Sequence, residues 1–340
     1  MIEPARVDAW NISNLRTLYL SPTNVCNYFC VMCFNQMTKT DRGFLDWDLF
    51  EQIINELVEI RRQVDSQFSE FHFYLDGEPF LHKEYVEMLR YIDRSLSGVR
   101  VIISTNGALM TPDKIDDLLR LNSNQYIYII SLDASNEELY RKIKPRSDFT
   151  SAEENARYFL AKKIENNINN PYAVLQFIVM SINEQNMHDF YWKWEPLIGP
   201  MTKAGYCLWT DSLLRENSSH IYWKRFHHRS NPVQIDHPLY SNRNGPSIVH
   251  DEYTKVCAWP WRVLAIGWNG DAHPCCFFPE SKSMLGTIRG KNITQIFEGM
   301  EIKQMRWHFL RNSVDQIPVC NTCDHKAWWH DKGLEDHLGI

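Results

Sequence analysis

Over the first 210 residues, short apolar runs alternate with longer stretches whose apolar positions recur every three or four residues. The runs Thr17–Leu20, Phe71–Leu75, Arg100–Ser104, Tyr126–Ser131, Val174–Met180 and Gly205–Trp209 are predicted strands. Between them, 46–62 (DWDLFEQIINELVEIRR) puts Phe50, Ile53, Ile54 and Leu57 on one helical face, with Asp46 as the N-cap. In 111–121 (TPDKIDDLLRL) Thr111 is the predicted cap, and Pro112 takes the first turn, where its missing N–H costs nothing. Six strands in this alternation predict an α/β fold, a partial or complete parallel (β/α) barrel of about six strands. Such a barrel carries its chemistry at the C-terminal ends of the strands.

From 211 to 256 the periodicity is lost and His220, His227, His228, His237 and His250 are scattered irregularly. This spacing reads as a linker or lid with surface histidines rather than a metal site. Beyond it, Arg262–Trp268, the turn Asn269-Gly270-Asp271 and Ala272–Cys275 predict a hairpin. A helix at 293–309 and a Cys320/Cys323 pair follow. The expected organisation is therefore a barrel over 1–210, a linker or lid over 211–256, and a small domain over 257–340. A chain of 340 residues has room for both cores.

Composition narrows the function classes. A net charge of −6 argues against a general nucleic-acid surface. The basic runs Arg141–Arg146 and Lys224–Arg229 read as solvated helix ends and loops. No apolar run reaches membrane-spanning length, and MIEPARVDAWNISNL lacks the apolar core of a signal peptide, so a cytoplasmic protein is expected. There the nine cysteines stay reduced and do not form a disulfide framework.

Their positions suggest two metal sites. Cys26, Cys30 and Cys33 follow the first strand, while Cys257, Cys275, Cys276, Cys320 and Cys323 lie near the other end, with Cys207 between. Three thiolates within eight residues can wrap one face of a four-iron cubane and leave the fourth iron open to bind a ligand. The alternative is zinc with a remote fourth ligand, although zinc motifs usually pair cysteines as C-x2-C.

The segment CNYFCVMC resembles the C-x3-C-x2-C signature of the radical S-adenosylmethionine (SAM) enzymes. That resemblance implies an open iron holding the amino and carboxylate groups of SAM, and reductive cleavage to a 5′-deoxyadenosyl radical that abstracts hydrogen from substrate. Met32 stands where the family often has an aromatic residue, and its polarizable side chain can serve beside the adenine. Asp76-Gly77-Glu78-Pro79 resembles the family's Gly-Gly-Glu segment, so Gly77 and Glu78 are expected at the methionine ammonium group. Ser104-Thr105-Asn106-Gly107 and Ser131-Leu132-Asp133 resemble the segments that meet the SAM carboxylate and ribose, implicating Ser104, Asn106, Ser131 and Asp133. Taken alone, each of these would serve as a cap or turn. The glycine-containing adenine motif of strand five is not evident in FIVMSINEQN.

Cys257, Cys275, Cys320 and Cys323 are separated by 17, 44 and 2 residues. This order resembles the twitch form of the SPASM domain, which holds one auxiliary four-iron cluster. A zinc ribbon is the alternative for these four alone, and a non-catalytic zinc protein the alternative for the whole chain. The implied cofactors are two 4Fe-4S clusters and SAM, with a flavodoxin- or ferredoxin-type electron donor. A small carbohydrate or aminocyclitol is the expected substrate and a peptide the alternative. Dehydrogenation is expected. An epimerase would instead use Cys276 or Cys207 as hydrogen donor, although most free cysteines are buried small hydrophobes.

Overall fold

The computed structural model describes residues 11–33, 35, 40–63, 65–198, 218–225, 227–228, 231–232, 257–276 and 284–321. In chain order its elements begin β1 Thr17–Leu20, α1 Trp47–Arg62, β2 Glu70–His72, α2 Tyr85–Ser95, β3 Arg100–Thr105 and α3 Pro112–Leu118. Next come β4 Gln125–Ser131, α4 Glu137–Ile143, α5 Phe149–Glu165, β5 Tyr172–Val179, α6 Met187–Ile198 and β6 His220–Arg225. The two-residue strands β7 His227–His228 and β8 Asn231–Pro232 follow, then α7 Trp259–Arg262, β9 Val263–Ile266, β10 Asp271–His273 and β11 Gly286–Thr287. The helices α8 Ile293–Phe297, α9 Met300–Leu310 and α10 Pro318–Asn321 complete the described chain.

The chain forms two compact units. One comprises Met1–Asn24, Thr40–Asp76 and Pro246–Ile340. Here β1 pairs in parallel with β2 and with β9, and the hairpin β9–β10 extends antiparallel to β11. Helix α1 begins where Asp46 Oδ1 accepts from the Leu49 N–H at 2.9 Å, and it buries Phe50, Ile53, Ile54 and Leu57 as its period requires. Gly270 turns the hairpin with φ +92°, a conformation that excludes a Cβ at little cost only for glycine. The expected helix over 293–309 is two helices, because Asn292 caps α8 with a capping box and the chain breaks at Gly299 before α9. Ala258, Trp261, Met305, Phe309, Leu310 and Ile317 form a buried cluster against which Cys257 and Cys320 pack.

The other unit comprises Val25–Lys39 and Gly77–Gly245. Its strands β3, β4, β5 and β6 pair in parallel in that order. Val101, Ile102, Ile103, Ile127, Tyr128 and Ile130 are all buried, as expected of parallel strands covered on both faces. The expected α/β fold with its six strands β1–β6 is thus present, two in one unit and four in the other.

Three expectations change in detail. The predicted strand Gly205–Trp209 lies outside the described residues, and the sixth strand is His220–Arg225, within the stretch read as irregular. Its apolar centre Ile221–Trp223 is buried, a signal that the surrounding histidines and basic residues obscured. This strand also takes Lys224 out of the supposed solvated loop. Thr111 sits at the α3 N-cap but its side chain makes no capping hydrogen bond; Pro112 at the first turn remains.

Candidate functional site

The cysteine loop is held by its neighbours in the second unit. The Val31 N–H donates to the Ile143 carbonyl at 2.9 Å, at the end of α4. The Tyr28 hydroxyl donates to the Asp148 carbonyl at 2.9 Å and accepts from the Asp148 N–H at 3.0 Å. Arg146 lies over the Phe29 ring at 5.3 Å, and the Val25 carbonyl accepts from the Glu78 N–H at 2.9 Å. Cys26, Cys30 and Cys33 therefore hang from a loop fixed on both sides.

Burial pushes the Cys26 thiol up to about 11 and the Cys30 thiol up to about 12. Each of these thiols is also raised by Cys33, and Cys30 further by Cys26, so the three sulfurs lie close enough to repel when ionised. Lys144 acts in the opposite sense on both. Three soft donors on one partly buried loop fit a cluster that binds thiolates. Among the described residues no group of three His, Cys, Asp or Glu side chains is arranged to hold a single metal ion.

Glu78 is fully enclosed and its carboxylate is clamped. The Thr105 hydroxyl donates to Oε1 at 2.7 Å, the Asn106 N–H to Oε2 at 2.8 Å and the Phe80 N–H to Oε1 at 3.2 Å. Burial raises its affinity for a proton, and these donors pull the other way. Asn106 also reaches the cysteine loop, donating from Nδ2 to Asn27 Oδ1 at 2.9 Å. Gly107 closes the turn with φ +81°, where an added Cβ would stand 3.0 Å from Ile130 Cγ2. Ser104 is half-buried, and its hydroxyl bonds to no described residue.

At the end of β4, Asp133 is entirely buried, in the left-handed region with φ +64°. Its Oδ2 meets Lys144 Nζ at 2.9 Å and accepts from the Ser131 hydroxyl at 2.8 Å; its Oδ1 accepts from the Ile178 N–H at 2.6 Å. Lys144 also donates to the Ser131 carbonyl and lies over the Tyr140 ring at 4.7 Å. The reading of Arg141–Arg146 as wholly solvated is thus corrected. Arg141 and Lys142 are exposed beside Glu137 and Glu138, whereas Lys144 is 1% exposed and paired with Asp133. Sequence reasoning missed Lys144, Thr105 and Tyr28, and only the position of Lys144 two residues beyond the last exposed basic pair of α4 offered a signal.

In the first unit Cys257 and Cys320, far apart in sequence, share the Trp261 cluster, and Cys275 and Cys276 follow β10. All four are half-buried. Cys207 and Cys323 lie outside the described residues. Asp76 ends this unit's run, its carboxyl pushed up to about 6 by burial and drawn back by Arg42.

Residues 20–190, half of the chain, match the radical SAM superfamily, and residues 257–324 match the SPASM iron-sulfur cluster-binding domain. The chain belongs to the radical SAM superfamily and is an enzyme of that class, with SAM and a 4Fe-4S cluster as cofactors. It carries the SPASM domain that adds further iron–sulfur ligation, which sets aside the zinc alternatives.

Among curated relatives, the tungsten-containing aldehyde ferredoxin oxidoreductase cofactor-modifying protein of Pyrococcus furiosus is 32% identical over 107 residues. That match covers 32% of this chain and 28% of the relative. The chain thus spans well under half the length of the curated relatives it matches. Among solved structures, BtrN in complex with AdoMet and 2-DOIA shares the fold at TM-score 0.52 and 15% identity, over 91% of this chain and 92% of that one. Native anSMEcpe with bound AdoMet does so at TM-score 0.58 and 14% identity, over 92% and 88%. Among the described residues no helix is long and apolar enough to cross a membrane.

Proposed function

We propose that this enzyme abstracts hydrogen from a small carbohydrate or aminocyclitol and dehydrogenates it. In this reading Cys26, Cys30 and Cys33 hold the SAM-cleaving cluster, and Cys257, Cys275, Cys320 and Cys323 hold the auxiliary one. The first cluster, once reduced, supplies the electron that cleaves SAM. A flavodoxin- or ferredoxin-type protein is the electron source and the cytoplasm the setting.

The chain's own residues bind and orient. Gly77 lets backbone approach the methionine ammonium group, and Glu78 presents its remaining lone pair there. The unengaged Ser104 hydroxyl and Ser131 serve the carboxylate and ribose. Asn106 fixes Glu78 to the cysteine loop. Asp133, whose oxygens already bond Lys144, Ser131 and the Ile178 N–H, contributes by holding Ser131 in place.

The observation that supports dehydrogenation is the second cysteine set, of which Cys257 and Cys320 pack on one apolar cluster. A fully thiolate-held auxiliary cluster is a ready electron acceptor. BtrN carries the small molecule 2-DOIA with AdoMet, whereas anSMEcpe has also been seen with a Cp18Cys peptide, which keeps a peptide as the second substrate class. The competing outcome is epimerisation, with Cys276 or Cys207 returning hydrogen to the opposite face.

Turnover in deuterated water separates the two. Dehydrogenation leaves no solvent deuterium at the reacting carbon, and Cys276→Ala and Cys207→Ala still give oxidised product. Solvent deuterium in the product, together with loss of product in either cysteine variant, would replace dehydrogenation with epimerisation.

A further inference from the structure

Along β2 and its continuation, titratable side chains occupy every second position, Glu70, His72, Tyr74 and Asp76, with Phe71, Phe73 and Leu75 between them. Phe73 stacks on Phe50 of α1 at 5.6 Å, so the apolar set faces that helix and the titratable set lies on the strand's other face. On that face His72 is engaged at both ring nitrogens. Its Nε2 is 2.5 Å from Glu70 Oε1, and its Nδ1 is 3.3 Å from the Tyr74 hydroxyl. An ionised carboxylate only accepts, so Nε2 carries a proton, and in the neutral imidazole Nδ1 is then the acceptor for the Tyr74 O–H.

The surroundings exclude water from the imidazole but not from its partner. Tyr19, in register with His72 across β1 and β2, stacks on the ring at 4.0 Å, and Trp259 stacks on Tyr19 at 5.8 Å. His72 is 3% exposed, whereas the Glu70 side chain keeps 15% of its surface in solvent. Glu70 opens the strand. Tyr74 stands just past its C-terminal end, the end at which α/β barrels place their chemistry, four residues before Glu78. None of these three side chains is used in the SAM site.

We propose that Tyr74, His72 and Glu70 form a proton relay that accepts the substrate's hydroxyl proton at Tyr74 and holds it on His72, whose imidazolium Glu70 stabilises. The proposal rests on the dehydrogenation reading. After hydrogen abstraction the substrate is a carbon radical bearing a hydroxyl group. Its O–H bond breaks, the proton passes to the Tyr74 oxygen, and the Tyr74 proton passes to His72 Nδ1. The remaining ketyl anion becomes a ketone on losing one electron, for which an auxiliary four-iron cluster held by the second cysteine set would be the oxidant. The imidazolium, paired with Glu70, holds that proton until the ketone leaves, when Nδ1 returns it through the Tyr74 oxygen to solvent and the starting tautomer is restored. Tyr74 is the residue that would touch substrate; His72 and Glu70 act through it.

The test uses reconstituted, SAM-loaded enzyme with a panel of inositols, aminocyclitols and hexosamines, from about pH 6.5 to 9. It reads ketone formed per 5′-deoxyadenosine released. Tyr74→Phe and His72→Gln should each lower that ratio about tenfold or more. Residual ketone formation in the variants should climb about tenfold per pH unit, as hydroxide replaces the relay, while the parent levels off. A parent-like ratio and pH profile in Tyr74→Phe overturns the relay, whether or not His72→Gln folds. A parent that cleaves SAM yet oxidises no member of the panel overturns the dehydrogenation reading itself, and the relay falls with it.

Discussion

Replacing Lys144 by Met keeps the length of the side chain and removes its charge, leaving Asp133 buried without its cation. In the native protein the pair is 2.9 Å apart, with side chains 1% and 0% exposed. Breaking a buried pair by removing one partner costs about 3–5 kcal/mol, because the surviving charge has lost its solvent and its partner together. Asp133 keeps the Ser131 hydroxyl and the Ile178 N–H as donors, which holds the expected loss toward the lower end, about 3 kcal/mol. Removing both charges tells pairing from packing. The double variant Asp133→Asn, Lys144→Met should be less destabilised than Lys144→Met alone, because no uncompensated charge remains. Urea unfolding of each variant at neutral pH measures this from the shift in midpoint at constant slope. A loss under about 1 kcal/mol for Lys144→Met, the cost of a surface lysine, would refute the reasoning. So would a double variant that loses the sum of the two single effects.

Asp76 has a carboxyl raised from 3.8 to about 6, so the folded state favours its protonated form, and stability falls as pH rises from about 4 through 6. Asp76→Asn should therefore stabilise by about 1–3 kcal/mol above pH 6 and by nothing near pH 4, as thermal unfolding across that range will check. Tyr28→Phe removes the hydroxyl that bonds both the Asp148 N–H and carbonyl, and should cost about 1–2 kcal/mol with poorer retention of iron by the cysteine loop on dilution. Gly107→Ala meets both a positive φ and a 3.0 Å contact to Ile130 Cγ2, and should lower the unfolding midpoint by the equivalent of about 1–3 kcal/mol. A change of less than a few tenths would mean that the turn relaxes freely.

The strands and the cysteine loop were legible because their signals are local. An apolar run of four to seven residues and a C-x3-C-x2-C spacing need no tertiary context. Strand β6 was not legible, because three buried residues, Ile221 to Trp223, sit among histidines and basic residues that dilute the pattern. The single helix expected over 293–309 failed for a local reason that the sequence did carry: Gly299 interrupts it. Lys144 was hidden differently. Its burial depends on Asp133, eleven positions earlier, so no window of helical or strand period contains both partners. The Glu70–His72–Tyr74 run alternates in sequence, yet which face it occupies emerges only from Phe73 stacking on Phe50.

Anaerobic reconstitution followed by metal analysis and a SAM-cleavage assay tests the central claim most directly. The two cysteine sets should hold about eight irons per chain, with SAM cleaved to methionine and 5′-deoxyadenosine under a low-potential reductant. Changing Cys26, Cys30 and Cys33 together to Ala should remove about four of those irons and abolish cleavage. Stoichiometric zinc without iron–sulfur absorbance, or SAM cleavage that persists in the triple variant, would contradict the account.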